Sequence, residues 1–226
     1  ASRGTIPISL RRRFAPGTAI RTAIDLIDRQ RTGALVVFGD PVELEPVCAG
    51  GFYLTGAKFT AQRLAELAKM DGGIVMNSSG TEILRANVHF LPDATLATNE
   101  TGTRFRTAEQ LAAHTGYPVL SVSEEGRSLA VVFTATGRYE LQAPADLFAS
   151  ANQTLNSTAR VRSRFVDAID RLTRLEVDDV VTVHDAVLPI QRATLVARLS
   201  AQLDDLVIDL GGEGRLISIQ VADLND

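Results

Sequence analysis

Apolar and polar residues follow two different periods in the first part of the chain. Apolar residues recur at helical spacing over residues 20–27 and 61–68, and each pattern leads into a short apolar run, at residues 34–39 and 73–76. Further stretches are extended in pattern and rich in β-branched residues: 82–90, 119–123, 129–135 and 138–141. Helices that alternate with strands and then give way to consecutive strands predict an α/β fold, a mixed central β-sheet flanked by helices.

The pattern changes at Pro144, after which long helical periodicities dominate and a strand candidate occurs only in the last dozen residues. Apolar residues share one helical face over residues 161–172 and another over 177–181. Pro189 is predicted to interrupt this pattern, and a further helix is predicted to run to about Gly211. The chain therefore divides into residues 1–143 and an all-α part, 144–226, for which a linker or an oligomerisation spine is the expected role.

Composition limits the class of protein. The 226 residues are 45% hydrophobic, which suffices for one large domain or for a core domain with an appendage. A formal net charge of -4 argues against a general affinity for nucleic acid, so any phosphate site must be local. The single cysteine, Cys48, excludes an intramolecular disulfide framework, and no apolar run approaches the roughly 20 residues that span a bilayer. We expect a cytoplasmic protein without a membrane segment.

The polar stretch "TNETGTRFRTAEQ", residues 98–110, is the first candidate for chemistry. Arg104 and Arg106 stand one residue apart and repel each other unless a negative group lies between them, while the surrounding threonines add hydroxyl donors without charge. An anion is therefore one expected partner. The alternative is an exposed basic turn in which the arginines pair with Glu100 or Glu109.

The residues that follow the arginines predict the start of a helix. Thr107 and Gln110 have the spacing of a capping box, an apolar face follows them, and Gly116 ends the pattern. A helix that begins at Thr107 directs its first amide groups and the positive end of its dipole toward the arginine pair. This arrangement modestly favours the anion site over the basic turn.

Asp71, in the segment "MDGG", is a second candidate. Its carboxylate lies where a predicted helix turns into a strand, and the two glycines behind it permit a close approach of a ligand to the backbone. A lone carboxylate beside bound phosphates is a usual way to hold a divalent cation. Asp-Gly is also a common turn sequence, so a purely structural role remains open at this point.

Several segments together resemble one known family. "RTGALVVFG", "CAGGF", "RLAELAKMDGGIV", "ILRANVHFLPD", "TNETGTRFRTAEQ" and "TGYPVLSVS" have the order and spacing of the diadenylate cyclase domain of the DNA-integrity scanning proteins, the DisA family of bacteria. The match covers about residues 10–143, and the family's helical linker resembles the remainder more loosely, in "ANQTL", "LEVDDVVTVHDA" and "IDLGGEGRLISIQVADL". No residues remain for the family's helix-hairpin-helix domain, so weak or no DNA binding is expected.

The resemblance implies a reaction. Family members condense two ATP molecules into cyclic di-AMP and release two pyrophosphates, with Mg²⁺ or Mn²⁺ as cofactor. Each 3′-hydroxyl attacks the α-phosphate of the opposite nucleotide, so two domains must face each other. The resemblance thus implies a diadenylate cyclase domain at residues 1–143, a helical spine at 144–226, and a homo-oligomer, expected to be an octamer.

The resemblance also assigns roles to single residues. Asp71 would hold the metal and help to ionise the attacking hydroxyl, and Arg104 and Arg106 would act with it as catalytic residues. Ser123 and the main chain near Phe90 would contact adenine, the glycines would lie against the ribose, and the threonines and arginines would grip the phosphates. The implied nucleotide-binding residues are Gly72, Gly73, Phe90, Thr103, Arg104, Phe105, Arg106, Thr107 and Ser123.

The sequence departs from the family pattern at three motifs. The family's Asp-Gly-Ala ends in Gly73 here, and its Asp-Glu reads Asn99-Glu100. Its Arg-His-Arg carries Phe105 in place of histidine, and a phenyl ring can neither ligate a metal nor transfer a proton. Impaired turnover is therefore an expectation. The alternatives are a degenerate nucleotide or cyclic-dinucleotide binding protein, acting as a sensor or assembly partner, and a purely structural ring-forming part.

The three histidines complete the list of candidates. His89 lies in a predicted strand, His114 near a helix end and His184 on a predicted helix, and no two of them have metal-ligand spacing. Structural roles are expected for all three.

Overall fold

The structure, a computed structural model, describes residues 6–124 and 130–225. The chain forms two compact units, Ala1–Ala143 and Pro144–Asp226. Each unit has its own hydrophobic core.

The first unit contains eight strands and five α-helices among its described residues. The strands are β1 (Ala34–Phe38), β2 (Cys48–Ala49), β3 (Phe52–Lys58), β4 (Gly73–Met76), β5 (Glu82–Phe90), β6 (Val119–Val122), β7 (Ala130–Thr134) and β8 (Gly137–Leu141). The helices are α1 (Ile8–Arg13), α2 (Ala19–Gln30), α3 (Pro41–Leu44), α4 (Ala61–Leu67) and α5 (Thr103–Thr115). The predicted elements are confirmed, whereas α1, α3, β2 and β3 were not predicted; Leu129, included in one predicted strand, lies outside the described residues.

One mixed sheet joins all eight strands. Its order is β2, β5, β4, β1, β6, β7, β8, and β3 also pairs with β5. β1 and β4 run parallel, and the other pairings between described strands are antiparallel. As a result, β1 and β4 begin at the same edge of the sheet at which β5 and β6 end.

Helices cover both faces of this sheet, so that its central strands are buried on both sides. In β1, Val36 packs into the core beneath α2 and α4, whereas the next residue, Val37, packs into the core beneath α5. Side chains of a strand alternate between its faces, which explains why a buried strand reads as a continuous apolar run. The result is the predicted mixed sheet flanked by helices.

Helix α5 begins four residues earlier than predicted. Thr103 is its first residue, and Gly102 is the N-cap residue with extended φ and ψ of -81° and 137°. The capping box expected at Thr107 does not form, because Thr107 lies inside the helix, and the Gln110 side chain donates to the carbonyl oxygen of Leu96, at 2.9 Å. Both arginines therefore lie within the helix, in its first turns, rather than on the loop before it.

The second unit is helical, as predicted, but differs from the prediction in two places. Its elements are α6 (Pro144–Val177), α7 (Val183–Leu210), a short 3₁₀ segment (Gly211–Gly214) and α8 (Arg215–Asn225). Pro189 does not interrupt a helix but lies inside α7, in its second turn. The strand candidate in the last dozen residues is also wrong, because that segment forms α8, whose Ile217 and Val221 pack into the unit's core.

Candidate functional site

A pocket of about 350 Å³ opens at the sheet edge where β1 and β4 begin and where β5 and β6 end. Its walls come from segments far apart in sequence: the residues before β1 and β4, the end of β5, the first turns of α5, and Glu124 after β6. Open parallel sheets place their ligands at the carboxyl ends of their strands. Here the sheet is mixed, so the carboxyl ends of β5 and β6 lie at the same edge as the amino ends of β1 and β4. Residues from both kinds of strand end therefore line the pocket.

Helix α5 contributes its N-terminus to the pocket. Thr103, Arg104 and Thr107 line it. The first intrahelical hydrogen bond runs from the Arg106 amide to the Gly102 carbonyl oxygen, at 2.8 Å, so the amides of the three preceding residues have no intrahelical acceptor. Because Gly102 has no side chain to cap them, these donors and the positive end of the helix dipole remain available to an anion.

Arg104 is paired with Glu124 across the pocket. The guanidinium Nη2 contacts the carboxylate Oε1, and the side chains of Arg104 and Glu124 are 28% and 52% exposed. This pairing differs from the expected basic turn: Glu100 pairs with Arg138, and Glu109 accepts hydrogen bonds from residues 98 and 99. Among the described residues, Arg104 thus pairs with a carboxylate that itself lines the pocket.

Gly33 makes the pairing of Arg104 with Glu124 sterically possible. Its φ is +65°, and a Cβ at this position would lie 2.6 Å from Nη1 of Arg104 and 2.7 Å from Cγ of Glu124. A side chain here would displace both partners and would also strain the backbone. The "TG" that precedes β1 therefore shapes the anion-facing wall of the pocket.

Gly72 and Gly73 are constrained by the neighbouring strand β5. A Cβ on Gly73 would lie 2.0 Å from the Phe90 ring, and a Cβ on Gly72 would lie 2.6 Å from the backbone of Asn87, which has a φ of +56°. Phe90 and both glycines line the pocket. Gly73 thus allows the Phe90 ring, and Gly72 the Asn87 backbone, to approach the start of β4, and both packing requirements hold without any ligand.

Asp71 lies at the bend between α4 and β4, where it is exposed and lines the same pocket. Among the residues that the structure describes, its carboxylate has no hydrogen-bond or ion-pair partner, and no group of three or more His, Cys, Asp or Glu side chains could hold a metal ion. The pocket therefore does not fit a cage made of protein ligands alone. It does fit Mg²⁺ or Mn²⁺ bound by one carboxylate together with phosphate oxygens of a ligand, a usual mode for Mg²⁺.

Phe105 faces away from the pocket. Its ring packs edge-to-face on Phe133 of β7, with the ring centroids 6.3 Å apart, and it contacts the core beneath α5. Its predecessor in the helix lines the pocket, and successive residues of a helix are rotated by about 100°. The phenyl ring therefore fills a position on the core side of α5.

Two further predicted residues lie outside the pocket lining. Arg106 is exposed on α5. Ser123 is half-buried and immediately precedes Glu124, which does line the pocket. Of the predicted site residues, the structure brings these together in the pocket: Asp71, Gly72, Gly73, Phe90, Thr103, Arg104 and Thr107.

Sequence reasoning missed several residues of the lining. His89, for which a structural role was expected, is exposed and lines the pocket, and so do Thr32, Lys69 and Glu124. Each of them lies beside or at the end of a predicted strand or helix. Their position next to strand ends could have indicated a place in the pocket, because strand ends that meet at one edge of a sheet bring their flanking residues together.

Two family models match consecutive parts of the chain. Residues 21–136 match the family model described as DisA bacterial checkpoint controller nucleotide-binding, and residues 141–226 match the DisA bacterial checkpoint controller linker region. The DNA integrity scanning protein DisA of a Parafrankia species is 44% identical over 93% of this chain, and that of Beutenbergia cavernae is 44% identical over 94%. The aligned regions cover 58% and 59% of those proteins, so the chain spans less than two thirds of their length.

A solved structure was also found, a hypothetical membrane spanning protein from Bacillus cereus, with 27% identity and a TM-score of 0.47 over 55% of this chain and 62% of that one. Within residues 6–124 and 130–225, no helix is long and apolar enough to cross a membrane. The fold and the pocket define a two-part protein, an α/β domain of the nucleotide-binding class followed by a helical linker. The chain belongs to the DisA family, whose first domain is the diadenylate cyclase domain.

Proposed function

We propose that this chain is a diadenylate cyclase that condenses two ATP molecules into cyclic di-AMP, in the bacterial cytoplasm where ATP is available. The observation that carries the proposal is the pocket, which gathers a carboxylate with no partner among the described residues, an arginine, two threonines and the open N-terminus of α5. These groups suit a ligand that carries both phosphates and a cation. Membership of the DisA family supplies the reaction type.

In the proposed reaction each 3′-oxygen bonds to the α-phosphorus of the other ATP, the bond from that phosphorus to the bridging oxygen of the β-phosphate breaks, and pyrophosphate leaves. The proton of each 3′-hydroxyl passes to solvent. Arg104 and the first amides of α5 offset the negative charge that accumulates on the departing pyrophosphate, and Thr103 and Thr107 donate hydrogen bonds to its oxygens. Fixed donors of this kind need no reorganisation as the charge develops.

Asp71 would hold the divalent cation together with the phosphates, and the cation would neutralise phosphate charge and lower the pKa of the attacking hydroxyl. Phe90 and the glycines at the start of β4 form the apolar wall on which we place the nucleoside. Arg106 is exposed and does not line this pocket, so no step is assigned to it within a single chain.

A nucleotide-binding protein without turnover is the second candidate. This candidate rests on the departure from the family pattern at Phe105, although the ring faces the core and the side chain at this position does not line the pocket. Such a protein would bind ATP or cyclic di-AMP as a sensor or as a partner of an active cyclase.

The test incubates the purified chain with ATP and Mg²⁺ or Mn²⁺ and separates the products by chromatography. We expect cyclic di-AMP and pyrophosphate in a ratio of one to two. Asp71→Asn is expected to abolish this product while changing the melting temperature by only a few degrees, because an unpartnered carboxylate on a bend adds little to the core. Glu66→Gln, an exposed carboxylate on α4 that pairs with Lys69, is the matched control and should retain turnover. Binding without product would favour the second candidate, and full activity in Asp71→Asn would remove Asp71 from the site.

A further inference from the structure

Thr32, at the wall of the pocket beside β1, has a hydroxyl with no hydrogen-bond partner. Its Oγ1 is buried and unpaired within the part of the chain that the structure describes, although the residue itself is half-buried and lines the pocket. A buried hydroxyl without a partner costs free energy, so most such groups in native proteins are hydrogen-bonded. An unpaired hydroxyl at a pocket wall therefore calls for an explanation.

The surroundings of Thr32 indicate what would pair with it. The next residue, Gly33, contacts the Arg104 guanidinium so closely that a Cβ would lie 2.6 Å from Nη1, and Arg104 is held there by Glu124. An anion that takes the place of Glu124 on Arg104 must approach this same wall. The Thr32 hydroxyl is then the neighbouring neutral donor, and its bond to a charged oxygen would be stronger than one to a neutral acceptor.

We propose that Thr32 is a ligand-binding residue whose hydroxyl donates a hydrogen bond to a phosphate oxygen of a bound nucleotide once the phosphate has replaced Glu124 on Arg104. The proposal rests on the proposed nucleotide binding and adds a residue to that site. In the free protein the unpaired hydroxyl lowers the free energy of unfolding, and in the complex it forms a hydrogen bond to the phosphate. Removing the hydroxyl therefore has opposite effects on stability and on binding.

Thr32→Val tests this, because valine keeps the shape of threonine and removes the hydroxyl. Binding is measured by isothermal titration with 3′-deoxy-ATP, which has no attacking 3′-hydroxyl, and with inorganic tripolyphosphate, each in the presence of Mg²⁺. We expect affinity for both probes to fall about tenfold, as for a lost hydrogen bond to a charged group. The melting temperature of the free variant should stay equal or rise, and Thr32→Ser, which keeps a hydroxyl, should bind within about twofold of the wild type.

Ser121→Ala is the matched control. Ser121 on β6 also has a buried hydroxyl without a partner in the described residues, but it does not line the pocket. This variant should match or exceed the stability of the wild type and should bind both probes unchanged.

Distinct results separate a failure of this proposal from a failure of the proposed function. If the wild type binds neither probe, nucleotide binding itself is refuted, and the role of Thr32 with it. If the wild type binds both and Thr32→Val binds equally well, the role of Thr32 alone is refuted. A weaker affinity for 3′-deoxy-ATP with unchanged affinity for tripolyphosphate would also overturn it, since the hydroxyl would then meet the nucleoside. A drop of several degrees in the melting temperature of Thr32→Val would show that the hydroxyl already has a partner in the free protein.

Discussion

Two residues of the pocket region show how single side chains gain or lose a functional role through packing. Phe105 occupies the central position of the motif that resembles Arg-His-Arg, yet its half-buried ring packs against the core and Phe133. Glu124 belongs to no motif that the sequence singled out, yet it contacts the pocket's arginine. The contacts of a residue thus decide its role, and substitutions of Phe105 and Glu124 test this.

Phe105→His is expected to lower the stability of the chain without accelerating turnover. The imidazole is smaller and more polar than the phenyl ring, so the core beneath α5 loses apolar contact and the edge-to-face pair with Phe133, at a cost of about 1–3 kcal/mol. Thermal unfolding and cyclic di-AMP formation are measured together, with Phe105→Leu as the control that keeps an apolar side chain. An increase in turnover of tenfold or more in Phe105→His would show that the side chain at this position reaches the reacting groups.

Glu124→Gln is expected to strengthen the binding of polyphosphates. The carboxylate competes with a ligand for Arg104 and repels its phosphates, and since it is half exposed, its ion pair is worth about 0.2–1 kcal/mol, up to roughly fivefold in affinity. Titration with tripolyphosphate in the absence of Mg²⁺ measures this change in affinity. Glu140→Gln is the matched control, because Glu140 is an exposed carboxylate that pairs with Arg138. Weaker binding by Glu124→Gln would indicate that the carboxylate supports the ligand instead of competing with it.

At the scale of elements, helix α7 is stabilised both by the residues that cap its N-terminus and by the packing of its apolar side chains. A complete capping box starts the helix: the Thr182 side chain accepts from the Asp185 amide, and the Asp185 side chain accepts from the Thr182 amide. Proline in a helix interior removes one hydrogen bond and is normally unfavourable. Pro189 is nevertheless buried within α7, and the helix continues through it to Leu210, whose side chain packs in the unit's core.

Thr182→Ala is expected to destabilise the helical unit by about 1 kcal/mol, the usual effect of losing an N-cap hydroxyl. The Thr182 hydroxyl also lowers the pKa of Asp185 by donating a hydrogen bond to its carboxylate. A lowered folded pKa means that this stabilisation is present above the unfolded value of about 3.9 and is lost as the pH falls through the folded value.

Thermal unfolding followed by far-UV circular dichroism at pH 7 and at pH 3 measures the capping effect. The difference between Thr182→Ala and the wild type should shrink at the lower pH. Thr194→Ala is the control, because this exposed hydroxyl only donates to the carbonyl oxygen one turn earlier in α7. A pH-independent difference would mean that the carboxylate takes no part in the cap.

At the scale of the whole molecule, the proposed reaction joins two nucleotides, and the pocket described above is expected to hold one of them. An active protein must therefore bring two copies together. The helical unit exposes many large apolar side chains, among them Val177, Val180, Val183, Ile190 and Leu216. Substitutions at these positions can test whether another chain covers this surface, since a contiguous apolar patch is typical of an interface.

We expect the chain to form an assembly larger than a dimer, with an octamer as the specific expectation. Analytical ultracentrifugation at micromolar concentration measures its mass. Ile190→Glu places a charge at a position that is 65% exposed, so it should leave the single chain folded and shift the assembly to smaller species. Gln191→Glu adds the same charge at the next exposed position and is the control. A stable monomer of the wild type would contradict both the assembly and efficient turnover.

Binding to DNA is expected to be weak. With a net charge of -4, the chain can neutralise few phosphates, so its affinity should be low and should fall steeply with salt concentration. Fluorescence anisotropy with branched and linear duplexes at about 150 mM salt measures this. Tight binding to the branched duplex would overturn the expectation.

The local sequence determined most of the elements, because the spacing of apolar residues depends only on which face of a helix or strand is buried. Strands such as β1 and β5 were therefore predictable, and so was the change to a helical unit after Pro144. The quoted motifs also sufficed to identify the family, since they follow one another in a fixed order along the chain. Local signals were weaker at helix ends, where Gly102 and not Thr107 is the N-cap residue of α5, although Gly102 has no side chain to cap the helix.

Only the tertiary structure decided which residues share the pocket. Thr32, Asp71, His89, Arg104 and Glu124 are separated by up to 92 positions in sequence, and they meet because β1 and β4 begin where β5 and β6 end. The direction of a side chain on a helix likewise depends on what packs against each face, which no local pattern specifies. The sequence therefore determined the family and its elements, whereas the orientation of the Phe105 ring and the pairing of Arg104 with Glu124 required the packed sheet.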